Sequence, residues 1–329
     1  MGGFCDVLIV VEQFSGEPRR TSLELATKGR QLASEAGSTL SSVVVGPGAA
    51  AAAQKLGVYG VERAYVCEDE RFERFPLLAE VGIVAEAVHQ VNPHLLLIAA
   101  SNTGKDISGR LSARLGVGVI AGATDVKLSD GVPVAVCPIF GGTVQAEKGF
   151  SGELGIILMR PNAVTVEPAS GAVEIAIEQV EPSFDGEAAV EVVETVTEVR
   201  RQAPVEEAPV VVAGGRGLGG PEGFAMLEEL AEALGGSVGA TRVAVDAGWI
   251  GYPTQVGQTG KTVKPSLYIA LGISGAVQHR VGMQTSDVIV AVNKNPDASI
   301  FQFADLGVVG DVFDIVPRLT EEIRKRKQA

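Results

Sequence analysis

Aromatic residues are scarce, at 5% of the chain with a single Trp. A surface of stacked rings for bases or sugars is therefore not expected. Cysteine is rarer still. Cys5, Cys67 and Cys137 lie far apart and form neither a C-x-x-C pair nor a metal-ligand spacing. They suit a reducing compartment and read as small buried hydrophobes. Only three histidines occur, His89, His94 and His279. With no Cys pair and no clustered carboxylates beside them, no metal site is expected. His89 and His94 read as structural residues at a helix edge and a strand start.

Cations are in deficit, 27 against 40 acidic residues, for a formal net charge of -13. Such a chain repels a phosphate backbone, which disfavours nucleic acid as a partner. No apolar run reaches about 18 residues, so no membrane span is expected. The first apolar run, residues 7–11, has Asp6 before it and Glu12 after it and no basic segment ahead. It reads as a buried strand rather than a signal peptide. A bacterial or archaeal cytoplasm is the expected location, ahead of a mitochondrial matrix.

What is abundant is glycine, 41 residues, in a chain that is 46% hydrophobic. A length of 329 residues admits one large domain or two ordinary ones. In the first half, short apolar runs at residues 7–11, 43–45, 65–67 and 95–100 alternate with helical stretches at 21–36, 49–56, 77–91 and 105–115. That alternation predicts a parallel sheet covered on both faces. After Gly116 come short β-type runs at 134–136, 155–159, 163–166 and 173–177 with no helix between them. They predict an antiparallel extension of the first domain. Residues 191–208, rich in Glu and Val and interrupted by Pro204, predict a strand running into an exposed linker. A second α/β unit follows, with strands expected at 209–213, 243–245, 267–271 and 288–292 and helices at 224–234 and 315–327. The fold expected is α/β: an N-terminal parallel-sheet domain over 1–200, then a C-terminal flavodoxin-like or Rossmann-like domain over 201–329.

Four loops carry chemistry. Gly215, Gly217 and Gly220 match G-x-G-x-x-G between a strand and a helix, the context of a dinucleotide pyrophosphate site. Asp246, placed at the end of the next predicted strand, is the candidate ribose acid. A plain glycine turn explains the same residues. Arg216 inside the turn is unusual, because a guanidinium there can hold a phosphate bidentately. Residues 257–262, Gly-Gln-Thr-Gly-Lys-Thr, suggest a Walker A loop, but the spacing is wrong because position 255 is Gln. Residues 101–106 fail in the same way and read as a strand-to-helix turn. Residues 272–275 approach a nucleophile elbow but lack its second spacer, and His279 nearby does not make a triad.

Taken together these loops resemble the α subunit of electron-transfer flavoprotein. The resemblance runs in order through residues 214–217, 239–242, 245–248, 255–262, 271–283, 291–294 and 300–311. It is dense over about 120 residues and looser, by layout, over the N-terminal two-thirds. Thr241 stands where the family commonly has Ser, which keeps the hydroxyl. Gly223 stands where Asn is common before Phe224, which puts one local contact in doubt.

The resemblance implies FAD held in the C-terminal domain. It places Arg216 and Asn293 near the pyrophosphate and adenosine, and Asp311 at the adenosine end. It lays Arg242 against the isoalloxazine ring, follows it on Thr241, and offers the Thr259 hydroxyl to flavin N5 from the loop of Gln255, Val256, Gly257 and Gln258. It lines the phosphates and the pyrimidine side of the ring with Ser274, Gly275, Ala276, Val277, Gln278 and His279, and sets His279 near the C2 carbonyl. A reduced flavin carries negative charge at N1 and O2, so a cation and a donor there would raise its first potential. About 60 mV per electron corresponds to about 1.4 kcal/mol, within reach of one charge-assisted hydrogen bond.

The function this implies is the α chain of a heterodimer, with a β subunit as partner. It would take electrons from acyl-CoA or other dehydrogenases, as in fatty acid β-oxidation, and pass them to a quinone oxidoreductase or similar acceptor. Bifurcation of electrons from NADH, using a second FAD in the β chain, is a variant within the family. The alternative from another class is an NAD-dependent oxidoreductase using the G-x-G-x-x-G turn, for which no acid/base residue stands out. Whether the chain counts as an enzyme or a carrier stays open.

Overall fold

A computed structural model describes residues 6–75, 78–140, 144–182, 191–194 and 203–328. The chain divides into two compact units, Met1–Val196 and Thr197–Ala329.

The first unit begins with β1 (Val7–Val11), every residue of which is buried. A strand apolar on both faces belongs inside a sheet covered on both sides. A small antiparallel pair, β2 (Gln13–Phe14) and β3 (Glu17–Pro18), leads into α1 (Arg20–Ala36). Then come β4 (Leu40–Val45), α2 (Ala49–Lys55), β5 (Arg63–Cys67), α3 (Arg71–Arg74), α4 (Leu78–Val91), β6 (Leu95–Ala99) and α5 (Asn102–Leu115). Residues 101–106 carry the strand-to-helix turn from β6 into the start of α5. Ser101 caps that helix, its Oγ accepting from Gly104 N at 2.8 Å. The unit continues with β7 (Val119–Ala123), β8 (Asp125–Ser129), β9 (Val132–Ile139), β10 (Val144–Lys148), β11 (Gly155–Met159) and β12 (Ala176–Gln179).

The main sheet has the order β12-β5-β4-β1-β6-β11-β7 and every pairing is parallel. The antiparallel extension is the smaller sheet β10-β9-β8. Two runs assigned to that extension are elsewhere. β11 is buried throughout and lies between β6 and β7. Its unbroken apolar pattern is that of a central parallel strand, and the chain reaches it after the antiparallel excursion. β12 joins the parallel edge beside β5. Residues 163–166 form no strand. Backbone N–H groups of residues 162–164 instead face the buried Glu24 carboxyl on α1. Cys67 and Cys137 are buried and free; Cys5 lies outside the described residues.

The second unit carries β13 (Val210–Gly214), α6 (Glu222–Leu234), β14 (Ser237–Ala240), α7 (Arg242–Asp246), β15 (Leu267–Leu271), α8 (Val277–Arg280), β16 (Ile289–Asn293), β17 (Leu306–Val309) and α9 (Val312–Gln328). Its sheet is parallel with the order β14-β13-β15-β16-β17. Counted within the unit this is 2-1-3-4-5, the flavodoxin-like order, whose strand order reverses between the first and third strands. The basic end of α9 is tied within its own helix, Lys325 to Glu321 at 2.6 Å and Arg326 to Glu322 at 3.0 Å.

Two expectations fail here. Residues 243–245 are helix, not strand. Only Ala244 of the three is buried and Val243 is half exposed, a one-sided pattern that a strand buried on both faces does not show. The strand is the small-residue run β14, one segment earlier. The linker is largely exposed where it is described, Val193 at 93%, but the strand expected ahead of it is absent there. Val205 and Ala208 are buried in the core of the second unit, residues 191–194 form no strand, and residues 195–202 lie outside the described residues. Among the described residues no helix is long and apolar enough to cross a membrane.

Candidate functional site

A cavity of about 760 Å³ opens on the carboxyl edge of the second sheet. Its walls are the segments that follow β13, β14, β15 and β16. Open α/β sheets place ligands in this crevice because the strand order reverses there and the loops on either side part.

The wall after β13 meets the wall after β15 backbone to backbone. Gly217 N donates to Gly272 O at 2.9 Å. A Cβ on Gly217 would lie 2.7 Å from Gly272 Cα, and one on Gly215 would lie 2.6 Å from Gly272 O. These two glycines are required by loop-against-loop contact. Gly220 makes no such contact with the neighbouring loop, and a Cβ there would first meet the side chain of Glu222. The guanidinium-bearing residue between the first two, Arg216, lines the cavity.

The wall after β14 holds Thr241 and Arg242. Thr241 is extended, at φ -75° and ψ 155°, and α7 starts behind it. Its Oγ1 is buried and has no hydrogen-bond partner among the described residues. Arg242 Nε lies 3.1 Å from Asp246 Oδ2, one turn along the same helix. Asp246 is therefore the partner of an arginine on a helix, not an acid at a strand end. The dinucleotide reading loses the residue it relied on for the ribose.

The next segment is pinned at several points. Val256 N donates to Ala240 O at 2.9 Å, Gly257 N to Lys261 O at 3.1 Å, and Gln258 N to Gln278 O at 2.7 Å. Gly257 has φ +143°, and a Cβ there would lie 2.7 Å from Gln278 O. Only glycine fits so close an approach at that angle. Lys261 Nζ reaches Glu206 at 2.6 Å. It is committed to a carboxylate and is not among the residues lining the cavity. Thr259 Oγ1 accepts from Gln255 Nε2 at 3.1 Å. That bond uses a lone pair and leaves the threonine proton for another acceptor.

The wall after β15 contains Ser274, Ala276, Gln278 and His279, all lining the cavity. Gly275 and Val277 are not. Gly275, at φ +88°, packs against Ile300, where a Cβ would lie 2.3 Å from its backbone N. Val277 is exposed on α8. His279 is buried, with Nδ1 2.9 Å from Val256 O and Nε2 2.9 Å from the Tyr268 hydroxyl. A carbonyl only accepts, so Nδ1 carries the proton and Nε2 accepts from Tyr268 O–H. Burial pushes the imidazole down to about 4, so the ring is neutral. Both nitrogens are engaged within the chain. The expected role of His279 as a donor to a ligand carbonyl does not match this geometry.

Asn293 and Asp311 separate. Asn293 lines the cavity. Its Nδ2 donates to Ile273 O at 2.8 Å, and its Oδ1 accepts from Asn295 N at 2.9 Å. Asp311 does not line it. Its carboxylate pairs with Lys294 at 2.8 Å and accepts from Phe313 N at 3.0 Å at the start of α9. The bond from Lys294 holds that carboxyl below its usual range.

Sequence reasoning missed Val243 and the segment from Asn295 to Ser299 that closes the cavity after β16. A signal for the last was present. Asn295-Pro296-Asp297 is turn chemistry directly after a buried strand, on the edge where such sheets bind ligands.

Comparisons with known proteins agree on both units. Residues 7–185 match the family described as electron transfer flavoprotein domain, and residues 204–284 that described as electron transfer flavoprotein FAD-binding domain. The chain is 44% identical over 324 residues to the electron transfer flavoprotein subunit alpha of Mycobacterium tuberculosis (strain H37Rv), covering 98% of this chain and 99% of that one. It is 38% identical over 329 residues to the protein of that name from Megasphaera elsdenii, covering 98% and 97%. For the protein of that name from Bacillus subtilis (strain 168) the identity is 37% over 319 residues, covering 97% of each chain.

Proposed function

The chain belongs to the electron-transfer flavoprotein α-subunit family, and from that premise we propose that the carboxyl-edge cavity of its second unit holds FAD. The family carries a role in electron transfer and implies a β-subunit partner. The observation that carries the reading is the Thr241 hydroxyl, buried without a partner in the wall of a cavity of about 760 Å³. An orphaned buried hydroxyl costs about 1–3 kcal/mol. A ligand acceptor would remove that cost. The other residues fit the group too: two arginines for anionic oxygens, hydroxyls and amides for ring edges, and glycine backbone brought close by Gly257 and Gly217.

FAD, when bound, supplies the capacity to take up and release electrons singly. The chain positions and tunes it. Arg242 offers a cation where negative charge develops, and the charge of Asp246 one turn away moderates it. Thr259 offers a hydroxyl already oriented by Gln255. Arg216 offers a planar donor pair suited to phosphate oxygens. Gln258 and Gln278, tied to each other through the backbone, hold two walls at a fixed separation.

In this reading the chain is one half of a heterodimer that accepts electrons from acyl-CoA or other dehydrogenases. It delivers them to a quinone oxidoreductase or similar acceptor. A bacterial or archaeal cytoplasm is the setting that fits. Bifurcation from NADH depends on a second FAD in the β chain. The test is co-expression of the α and β chains followed by a visible spectrum. Flavin absorption bands and release of FAD on denaturation are expected. A colourless heterodimer that stays so after incubation with FAD overturns the reading. Two FAD per heterodimer, rather than one, assigns the chain to the bifurcating branch.

A further inference from the structure

Lys261, the lysine of the Gly-Lys-Thr run, stands outside the cavity, yet it closes the loop that supplies Thr259. Its N–H donates to Gln255 O at 2.7 Å, and its carbonyl accepts from Gly257 N at 3.1 Å. Gly260 fits inside that closure because it lacks a Cβ, which would lie 2.3 Å from Gln255 O. The tip is held from outside by the Tyr252 hydroxyl, which donates to Thr259 O at 2.9 Å. The Lys261 ammonium is 2.6 Å from Glu206 Oε1. Glu206 lies in the segment 203–208 that leads the chain into β13, and that segment is anchored on both sides of it. Ser237 Oγ donates to Ala203 O at 2.7 Å. Val205 and Ala208 are buried in one apolar core with Val256 and Val263, the residues that bracket the loop.

We propose that Lys261 is a positioning residue for the flavin site: its ion pair with Glu206 tethers the base of the Gln255–Lys261 loop to the segment 203–208, and so holds the tip that carries Thr259 in place. The inference rests on the reading of the cavity as a flavin site. A loop with glycines at 257 and 260 loses much conformational freedom when it is ordered. A tether at its base lowers that cost in the folded protein. The side chains of Lys261 and Glu206 are 39% and 29% exposed, so the pair adds little to global stability. Its effect is local, on the loop whose two ends Lys261 joins.

A tether and a charge felt through space lead to opposite expectations. FAD is anionic at its pyrophosphate. If Lys261 and Glu206 acted by their fields alone, removing the cation would weaken FAD binding and removing the carboxylate would tighten it. If they act as a tether, removing either one loosens the same loop, and both changes weaken FAD. The lysine then serves the ligand through the backbone, from outside the cavity.

The test uses the full chain with its β partner, as wild type, Glu206→Ala, Lys261→Met and the charge-swapped double variant Glu206→Lys with Lys261→Glu. The FAD dissociation constant should rise about two- to fivefold in each single variant, the range a partly exposed ion pair supports. The first flavin potential should move in the same direction in both. In the FAD-free protein, amide exchange at Gly257 and Lys261, whose N–H groups close the loop, should quicken by a similar factor. The charge-swapped variant should return all three quantities toward wild type. FAD affinities that change in opposite directions in the two single variants overturn the proposal. Unaltered exchange at both amides, or a double variant no better than the single ones, does the same. Should Lys261→Met or the double variant not fold, Glu206→Ala decides alone: weaker FAD with faster exchange supports the tether, and tighter FAD or unchanged exchange refutes it. If FAD does not bind the wild type at all, the functional reading fails, while exchange in the FAD-free chains still confirms or refutes the tether.

Discussion

Arg242 and Asp246 sit one turn apart on α7 with Nε 3.1 Å from Oδ2. Both side chains are more than half exposed, at 65% and 61%. A pair so wet contributes at most about 0.5 kcal/mol to stability. Its weight is electrostatic, because Arg242 is a cation in the wall of the cavity and Asp246 offsets it.

Asp246→Asn should therefore leave the fold intact and raise the first reduction potential of the bound flavin. A rise on the order of 20–40 mV is expected for one partly screened charge. Arg242→Ala should move the potential the other way. A reductive titration measures both. Potentials unchanged in either variant would remove Arg242 from its tuning role.

The two glycines Gly217 and Gly219 make opposite demands. A Cβ at Gly217 meets the Gly272 backbone at 2.7 Å, whereas Gly219, at φ +76°, has nothing within 4 Å. Gly219→Ala should cost about 1 kcal/mol, the price of a left-handed angle alone. Gly217→Ala forces two backbones apart and should cost about 2–3 kcal/mol. Its thermal midpoint should fall by roughly 5–10 °C. Flavin loading should drop with it, since both walls of the crevice move. Equal losses in the two variants would refute the loop-against-loop account.

Much of the fold was legible because its signals are local. β1, β6, β13 and β15 are apolar runs with turn residues at their ends, and Gly37, Gly116 and Gly235 mark helix ends where the structure has left-handed caps. What failed was decided by partners distant in sequence. Nothing within residues 155–159 says that β6 and β7 will flank them. Residues 243–245 carry β-branched residues, but only Ala244 is fully buried, Val245 packs half-buried against the same core and Val243 is exposed, which is a fact of packing. In the site, Thr241, Arg242, Gln255 to Thr259 and Ser274 converge on one cavity. Gly275, Val277 and Asp311 do not line it. Adjacency in a motif does not tell which residues face inward and which support them. Tyr268 gave no sign at all, because a tyrosine in an apolar strand reads as core.

Thr259 is tied to Gln255, which is only 2% exposed. Thr259→Val keeps the shape and deletes the acceptor, leaving a buried amide unpaired at about 1–3 kcal/mol. Thr259→Ser keeps the hydroxyl. The expected pattern is a lowered unfolding midpoint and a shifted flavin potential in the valine variant, with both near wild type in the serine variant. A serine variant as impaired as the valine one would mean that the methyl group, not the hydroxyl, matters.

Two buried groups should make the two units respond to pH in opposite directions. Burial pushes Glu24, 3% exposed on α1, up to about 7 from 4.5. The native first unit then binds more protons than the unfolded chain between those values. Its contribution is complete below pH 4.5 and is lost as pH rises toward 7. Burial pushes His279 down to about 4 from 6.5. The native second unit binds fewer protons in that window, so its contribution is complete above pH 6.5 and is lost as pH falls toward 4. Each shift corresponds to about 3 kcal/mol at most. The protein's single Trp, Trp249, lies in the second unit, so its fluorescence in a denaturant titration reads that unit. Its midpoint should fall between pH 6.5 and 4. Amide exchange in α1 should report the first unit and quicken as pH rises from 4.5 to 7, after correction for the intrinsic exchange rate. Glu24→Gln should weaken that second dependence, leaving the share of Glu80, whose carboxyl burial also pushes up to about 7, and should leave the Trp249 response unchanged. A Trp249 midpoint that rises as the solution is acidified would contradict a neutral, buried His279.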